Sequence, residues 1–265
     1  MHPVLDFGPW EVSTYTAVLV PAMVIGALLL WHEAGSAGFQ RSRVVAFCTG
    51  AVVAGLVGGR INAWLFYRSG QTLGDLTAGS FFENLTSFGS LVGALTFAWL
   101  YARRRGWSMW AFLDLLAPII PLVEGLMRWG CLLNGCCYGR ETNAIWGSFL
   151  PDATGHWAIR HPTQVILSAW SLALFAWFWR RRRRRAFDGV LILSYLVVYH
   201  VGRFGIDALR ADGVVVAGAL TSHQVASVIF AILAAVAMLR IGSRSEEPHP
   251  AHRGSSSEAE EPPRG

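Results

Sequence analysis

The chain of 265 residues is 53% hydrophobic and 15% charged, carries a formal net charge of +5, and has a mean hydropathy of +0.40. Charge well below the roughly 25% of soluble domains excludes an ordinary water-soluble fold. All 22 basic residues are arginine and most gather at the ends of apolar runs, so the positive charge reports membrane topology rather than nucleic-acid binding.

Seven apolar runs of about bilayer length follow in chain order: Tyr15–Trp31, Val44–Tyr67, Phe88–Ala102, Trp110–Leu133, Thr163–Trp179, Phe187–Leu209 and Val214–Leu239. They predict an all-α polytopic membrane protein, a bundle of seven transmembrane helices within residues 1–241. Residues 242–265, rich in Ser, Glu, Pro and Arg, are expected to form a disordered cytoplasmic tail. Met1–Ser13 lacks the basic start and cleavage site of a signal peptide, so the first run is expected to be retained. Arg41 and Arg43, Arg103–Arg105, Arg180–Arg185, and Arg240, Arg244, Arg253 and Arg264 follow the first, third, fifth and seventh runs, whereas the opposite side carries only Arg68, Arg140, Arg160 and Arg210. The positive-inside rule then puts the N-terminus outside and the C-terminus in the cytoplasm.

Arg60, Arg128 and Arg203 lie inside the second, fourth and sixth runs, all in the expected outer half of the membrane. Buried cations at one depth repel one another unless anions lie between them, and intramembrane charges mark functional sites. A phospholipid phosphate suits guanidinium groups through paired, charge-assisted hydrogen bonds. Protein carboxylates are the competing partners: Glu124 precedes Arg128 by four residues and Asp207 follows Arg203 by four, each pair on one helix face. Tyr199 and His200 lie within a turn of Arg203, and His223 and Gln224 lie in the outer half of the seventh run. Asp114 and Pro118, deep on the cytoplasmic side, read as structural.

The segment Tyr138–His161, dense in Trp, Gly and Pro, suits a loop folded back on the outer membrane interface, or an ordinary linker. Cys131, Cys136 and Cys137 cluster near the outer surface, whereas Cys48 sits in a span as a small apolar residue. No paired Cys-x-x-Cys spacing points to a metal, so a disulfide or reduced thiols lining a site is the reading favoured by spacing.

Taken in order, several of these segments resemble the bacterial prolipoprotein diacylglyceryl transferase family over roughly residues 58–226. They are Gly59-Arg60-Ile61 with Leu65-Phe66-Tyr67; Arg128-Trp129-Gly130 with Asn134-Gly135 and Gly139-Arg140; Trp146-Gly147; His161-Pro162-Thr163-Gln164; Tyr199 with Arg203, Asp207 and Arg210; and Ser222 with Gln224. The resemblance implies an enzyme of the bacterial cytoplasmic (inner) membrane that needs no cofactor. It would move the diacylglyceryl group of phosphatidylglycerol to the lipobox cysteine of a prolipoprotein signal peptide, releasing glycerol phosphate. Arg128 and Arg203 would hold the phosphate, Arg60 would position the headgroup, Asn134 and Tyr199 would orient it, and Asp207 would fix Arg203. Gly139, Arg140, His161 and Gln164 complete the substrate-binding set.

The chain departs from the family pattern at several points. Met127 stands for a glycine, Cys131 for an asparagine and Cys136 for a glutamate. Ile166 and Leu167 stand where a Tyr-Glu pair is common, and Phe88 stands where the family carries a histidine. His200 and His223 are then the imidazoles at suitable depth to take the acceptor proton. Two alternatives remain open: a non-catalytic phospholipid- or protein-binding membrane protein, and a lipid-group transferase with another acceptor, working through Cys136 or Cys137.

Overall fold

The computed structural model describes residues 4–7, 10–66, 87–152, 154–184 and 186–246. Tyr67, Arg68 and the tail from residue 247 lie outside the described residues, as does the side chain of Phe88.

A short hairpin, β1 (Val4–Phe7) and β2 (Trp10–Ser13), leads into α1 (Thr14–Ser36). Then come α2 (Arg41–Phe66), α3 (Ser87–Arg105), α4 (Met109–Leu116) and α5 (Ile119–Asn134). A second hairpin, β3 (Ser148–Pro151) with β4 (Trp157–Arg160), precedes α6 (Thr163–Arg181) and α7 (Val190–Asp207). A third, β5 (Val215–Ala217) with β6 (Leu220–Thr221), opens onto α8 (Ser222–Glu246). Helix dominates, and five helical segments are long and apolar enough to cross a membrane: α1, α2, α4 with α5, α7, and α8.

The structure adds detail that hydropathy misses. The fourth run is broken at Ala117–Pro118, between α4 and α5. Proline cannot donate the helical hydrogen bond and crowds the preceding turn. The seventh run does not begin as a helix: its β-branched start, Val214–Val216, turns at Gly218 (φ 57°) and pairs back with Leu220–Thr221. Gln224 closes that turn by accepting from the Thr221 amide at 3.0 Å and donating to the Phe204 carbonyl at 3.4 Å. At its other end α8 continues through Glu246, past the expected start of the tail.

Helix α5 packs between α1 and α6, α7 packs against α8 and α6, and α2 packs chiefly on α3. One buried core joins α6, α7 and α8 through Leu167, Leu174, Phe178, Leu193 and Tyr195; another joins α1, α2 and α4 through Leu30, Phe47 and Phe112. The outward faces are also apolar: Leu28, Leu95 and Leu239 are more than half exposed. That arrangement suits hydrocarbon as the solvent, where apolar side chains cost nothing to expose. The fully buried Asp114 accepts from the Gly189 and Ile192 amides at 2.8 and 2.9 Å, satisfying the first turn of α7. At the far ends of the helices, Arg41, Arg103, Arg181 and Arg182 lie over Trp31, Trp99, Trp177 and Trp179.

Candidate active site

The site grows from the helical spacing on α5 and α7. Glu124 and Arg128 fall one turn apart on the buried face of α5, and Tyr199, Arg203 and Asp207 repeat at the same spacing on α7. The two faces meet at one carboxylate oxygen. Glu124 Oε1 accepts from Arg128 Nη2 at 2.8 Å, from the Tyr199 hydroxyl at 2.5 Å and from Arg203 Nη1 at 3.4 Å. Arg203 Nη1 also donates to the Tyr199 hydroxyl at 2.7 Å. Beyond it, Asp207, 1% exposed, lies 3.2 Å from Arg203 Nε and 3.5 Å from Arg210 Nη1. Arg210 in turn grips Asp212 at the rim, at 2.9 and 2.8 Å.

Below that rim three guanidinium groups, of Arg128, Arg203 and Arg210, face two carboxylates, of Glu124 and Asp207. Counting Asp212, with which Arg210 also pairs, the cluster holds three guanidiniums and three carboxylates, and Arg128 and Arg203 share the single carboxylate of Glu124. A narrow crevice beside it is lined by Arg128, Cys137, Thr163, Gln164, Ile206 and Arg210. Arg128 Nε and Gln164 Oε1 are buried without a hydrogen bond, which leaves polar capacity facing this region.

A roof closes over one end of the cluster. Gly139 bridges to Arg210, and Glu141 bridges to Arg160. The Arg140 amide donates to the Leu209 carbonyl at 2.8 Å, and the His161 amide donates to the Arg140 carbonyl at 3.0 Å. A Cβ on residue 139 would collide with the His161 backbone, so this strand can enter only as glycine. Arg140 Nε donates to the Arg210 carbonyl at 3.1 Å, and Trp146 Nε1 donates to His161 Nδ1 at 3.1 Å. The β3–β4 turn is held by Asp152, which accepts from the Thr154 hydroxyl and amide at 2.7 and 2.9 Å and from Arg160 at 3.1 Å. The Thr154 hydroxyl, then the backbone amides and Arg160, keep the Asp152 carboxyl below the usual carboxylate range.

Cysteine chemistry enters at the C-terminal end of α5. Gly135 ends the helix in the left-handed conformation (φ 76°), and Cys137 follows with φ 61°, uncommon for a side-chain-bearing residue. These two turns bring the Cys131, Cys136 and Cys137 sulfurs within 4.8 Å of one another, with no disulfide among them. Arg128 Nη1 lies 3.9 Å from the Cys131 sulfur and 4.0 Å from that of Cys137. Thr163 and Gln164 hold the Cys137 and Cys136 carbonyls at 2.7 and 2.8 Å. Hydrogen bonds with Cys131 and Cys136, then the Arg210 and Arg128 charges, push the Cys137 thiol down. Asn134 is the last residue of α5, two residues before Cys136.

The expected site residues thus fall into two groups. Arg128, Arg203, Tyr199, Asp207, Asn134, Gly139, Arg140, His161, Gln164 and the three cysteines converge on one region. Among the described hydrogen bonds and ion pairs, His200 and His223 do not join it. Arg60 is buried on α2, whose main partners are α3 and α1. His200 turns its ring against α8, stacked on Phe230 and 3.5 Å from the Ser227 hydroxyl, while His223 is exposed. The residue that sequence reasoning undervalued is Glu124, visible there only as a helical ion-pair partner and here the hub of the cluster. Arg210 stands in the family-resembling series with Tyr199, Arg203 and Asp207, whereas Asp212 is not singled out there.

The sequence profile of the prolipoprotein diacylglyceryl transferase family matches residues 3–240. The chain belongs to that family. A phosphatidylglycerol–prolipoprotein diacylglyceryl transferase of Geobacillus kaustophilus is 31% identical over 247 residues, covering 86% of this chain and 88% of its own. One of Gloeobacter violaceus is 35% identical over 166 residues, covering 59% and 61%. One of Clostridioides difficile is 25% identical over 241 residues, covering 89% and 93%. The matched span takes in α1 through most of α8, including the whole cluster around Glu124 and the roof above it.

Proposed function

We propose that this family member carries out the reaction for which its relatives are named, transferring the diacylglyceryl group of phosphatidylglycerol to the lipobox cysteine of a prolipoprotein. The single observation that carries this reading is the Glu124 hub, where two largely buried guanidiniums and a phenol are held at one point by a single carboxylate.

In this reading the phosphodiester enters beside Arg128 and Arg203. The acceptor thiolate attacks the diacylglyceryl methylene carbon, the carbon–oxygen bond to phosphorus breaks, and the electron pair stays on the departing glycerol phosphate. That phosphate gains a second negative charge, which donors already fixed in place stabilise without reorganisation. Glu124 holds the two guanidiniums together at rest, Asp207 fixes Arg203 and Arg210, and Tyr199 offers a neutral hydrogen bond. Asn134, Arg140, His161 and Gln164 bound the acceptor side under the roof.

Seven spans, with α3 and α6 completing the five most apolar segments, suit this chemistry, with the N-terminus outside and the C-terminus in the cytoplasm. The arginine–tryptophan pairs at one end of the helices support that orientation, since basic residues mark the cytoplasmic side and tryptophan the interface. The roof then lies at the outer surface of the bacterial inner membrane, where exposed Ile145, Trp146, Phe149 and Trp157 can rest on the lipid headgroups. The test is a detergent assay with phosphatidylglycerol and a lipobox peptide, scored by mass for the diacylglyceryl adduct. Arg128→Ala and Arg203→Ala should each lower turnover by about 100-fold or more. Wild-type turnover in both variants would refute the reading.

A further inference from the structure

The three thiols of the site are not explained by phosphate binding. They stand beside the site on the α5 side, and one guanidinium, that of Arg128, touches both: its Nη2 reaches Glu124 at 2.8 Å while its Nη1 reaches the Cys131 and Cys137 sulfurs at 3.9 and 4.0 Å. We propose that Cys131, Cys136 and Cys137 form a three-thiolate zinc site whose open fourth position takes the acceptor cysteine.

Geometry supports the ligand set. With a Zn–S bond of roughly 2.3 Å, tetrahedral ligand sulfurs lie about 3.8 Å apart. The three sulfurs here already lie within 4.8 Å of one another, so closure asks for a shift of about 1 Å at most. The backbone is bent to hold them there: Gly135 and then Cys137 adopt left-handed conformations in succession, and Thr163 and Gln164 clamp the two cysteine carbonyls. A left-handed residue other than glycine persists only where its surroundings hold it, and such residues gather at functional sites.

Charge and access agree. Zinc with three thiolates carries one net negative charge, which the Arg128 guanidinium offsets through N–H···S contacts. Cys131 is buried, but Cys136 and Cys137 are half-buried, which leaves one side of the cluster open. The buried, unpaired Gln164 Oε1 lines the same crevice as Cys137 and supplies an acceptor for a group entering there. Four-coordinate zinc with three protein ligands keeps its remaining position for substrate.

The role of the open position rests on the transferase reading. An acceptor thiol binding zinc gives up its proton to water and is held as thiolate at neutral pH, because a coordinating thiol is deprotonated outright. Its sulfur then forms the bond to the diacylglyceryl carbon as the carbon–oxygen bond breaks. The product is a neutral thioether, a poor zinc ligand that leaves. No imidazole is required for this step.

The experiment measures metal in the full chain, purified in detergent without chelator from zinc-replete cells. About one zinc per chain is expected, lost in Cys131→Ser and Cys137→Ser. Cobalt(II) in place of zinc should give thiolate charge-transfer absorption in the wild-type protein, so the site can be read even if a serine variant fails to fold. A lipobox peptide should shift the cobalt ligand-field bands, and the same peptide with serine for cysteine should not. Metal-free protein, a mass lower by two hydrogens from a disulfide, zinc that persists in the serine variants, or cobalt bands indifferent to the thiol peptide would each overturn the proposal. Transfer by metal-free protein would overturn the zinc site and leave the transferase reading standing. Zinc with a thiol-specific shift but no transfer would do the reverse.

Discussion

Replacing Glu124 with glutamine keeps the side chain's shape but removes the charge that Arg128, Arg203 and Tyr199 share. Two of its contacts are short, 2.8 Å to Arg128 and 2.5 Å to Tyr199, and the third, to Arg203, is 3.4 Å. Hydrogen bonds to a charged group are worth about 1.5–3 kcal/mol and neutral ones about 0.5–1.5, so each short contact loses about 1 kcal/mol. The two guanidiniums, 9% and 17% exposed, then face one another without an intervening charge. The sum approaches about 3 kcal/mol, the lower end of the cost of breaking a buried ion pair. The assay pairs thermal unfolding in detergent with initial rates at saturating phosphatidylglycerol. Glu124→Gln should melt earlier and also lose about 100-fold or more in turnover, because both phosphate donors are re-aimed. Glu33→Gln is the control: Glu33 is 5% exposed and pairs with Arg182 at 2.9 Å, at the opposite end of α6 from Gln164. It should melt earlier with unchanged turnover per folded molecule. If Glu124→Gln behaves as Glu33→Gln does, the hub is only a packing ion pair and the reasoning fails.

Asp207→Asn should raise KM for phosphatidylglycerol and lower turnover together, by about 10- to 100-fold, since Asp207 aims Arg203 and Arg210 without touching lipid; unchanged kinetics would show that Arg203 needs no support. Gly139→Ala should displace the roof from His161 and lower acceptor-side activity while α-helical content, read by circular dichroism, stays at the wild-type level. The lowered Asp152 carboxyl gives a pH test: its contribution to the β3–β4 turn is complete above its unfolded pKa of about 4 and is lost as pH falls through the lower folded value. Protease cleavage in that turn should therefore rise only in acid, and Asp152→Asn should show the rise already at neutral pH.

Hydropathy along the chain was enough to find the apolar segments, because solvent acts on each stretch locally and a bilayer demands a fixed length of apolar helix. Spacing was enough to pair Glu124 with Arg128 and Arg203 with Asp207, since residues four apart share a helix face wherever the helix lies. Local chemistry did not separate the β-branched start at Val214–Val216 from the helix that follows, because a short apolar run has no period of its own. Only the tertiary structure joined Glu124 to Tyr199 and Arg203, 75 and 79 residues away, since that depends on how α5 and α7 are rotated and at what depth they cross. It likewise turned His200 toward α8 and drew three unevenly spaced thiols onto one point through the left-handed turns at Gly135 and Cys137. Composition sets which groups are buried; rotation, depth and turn geometry set which of them meet.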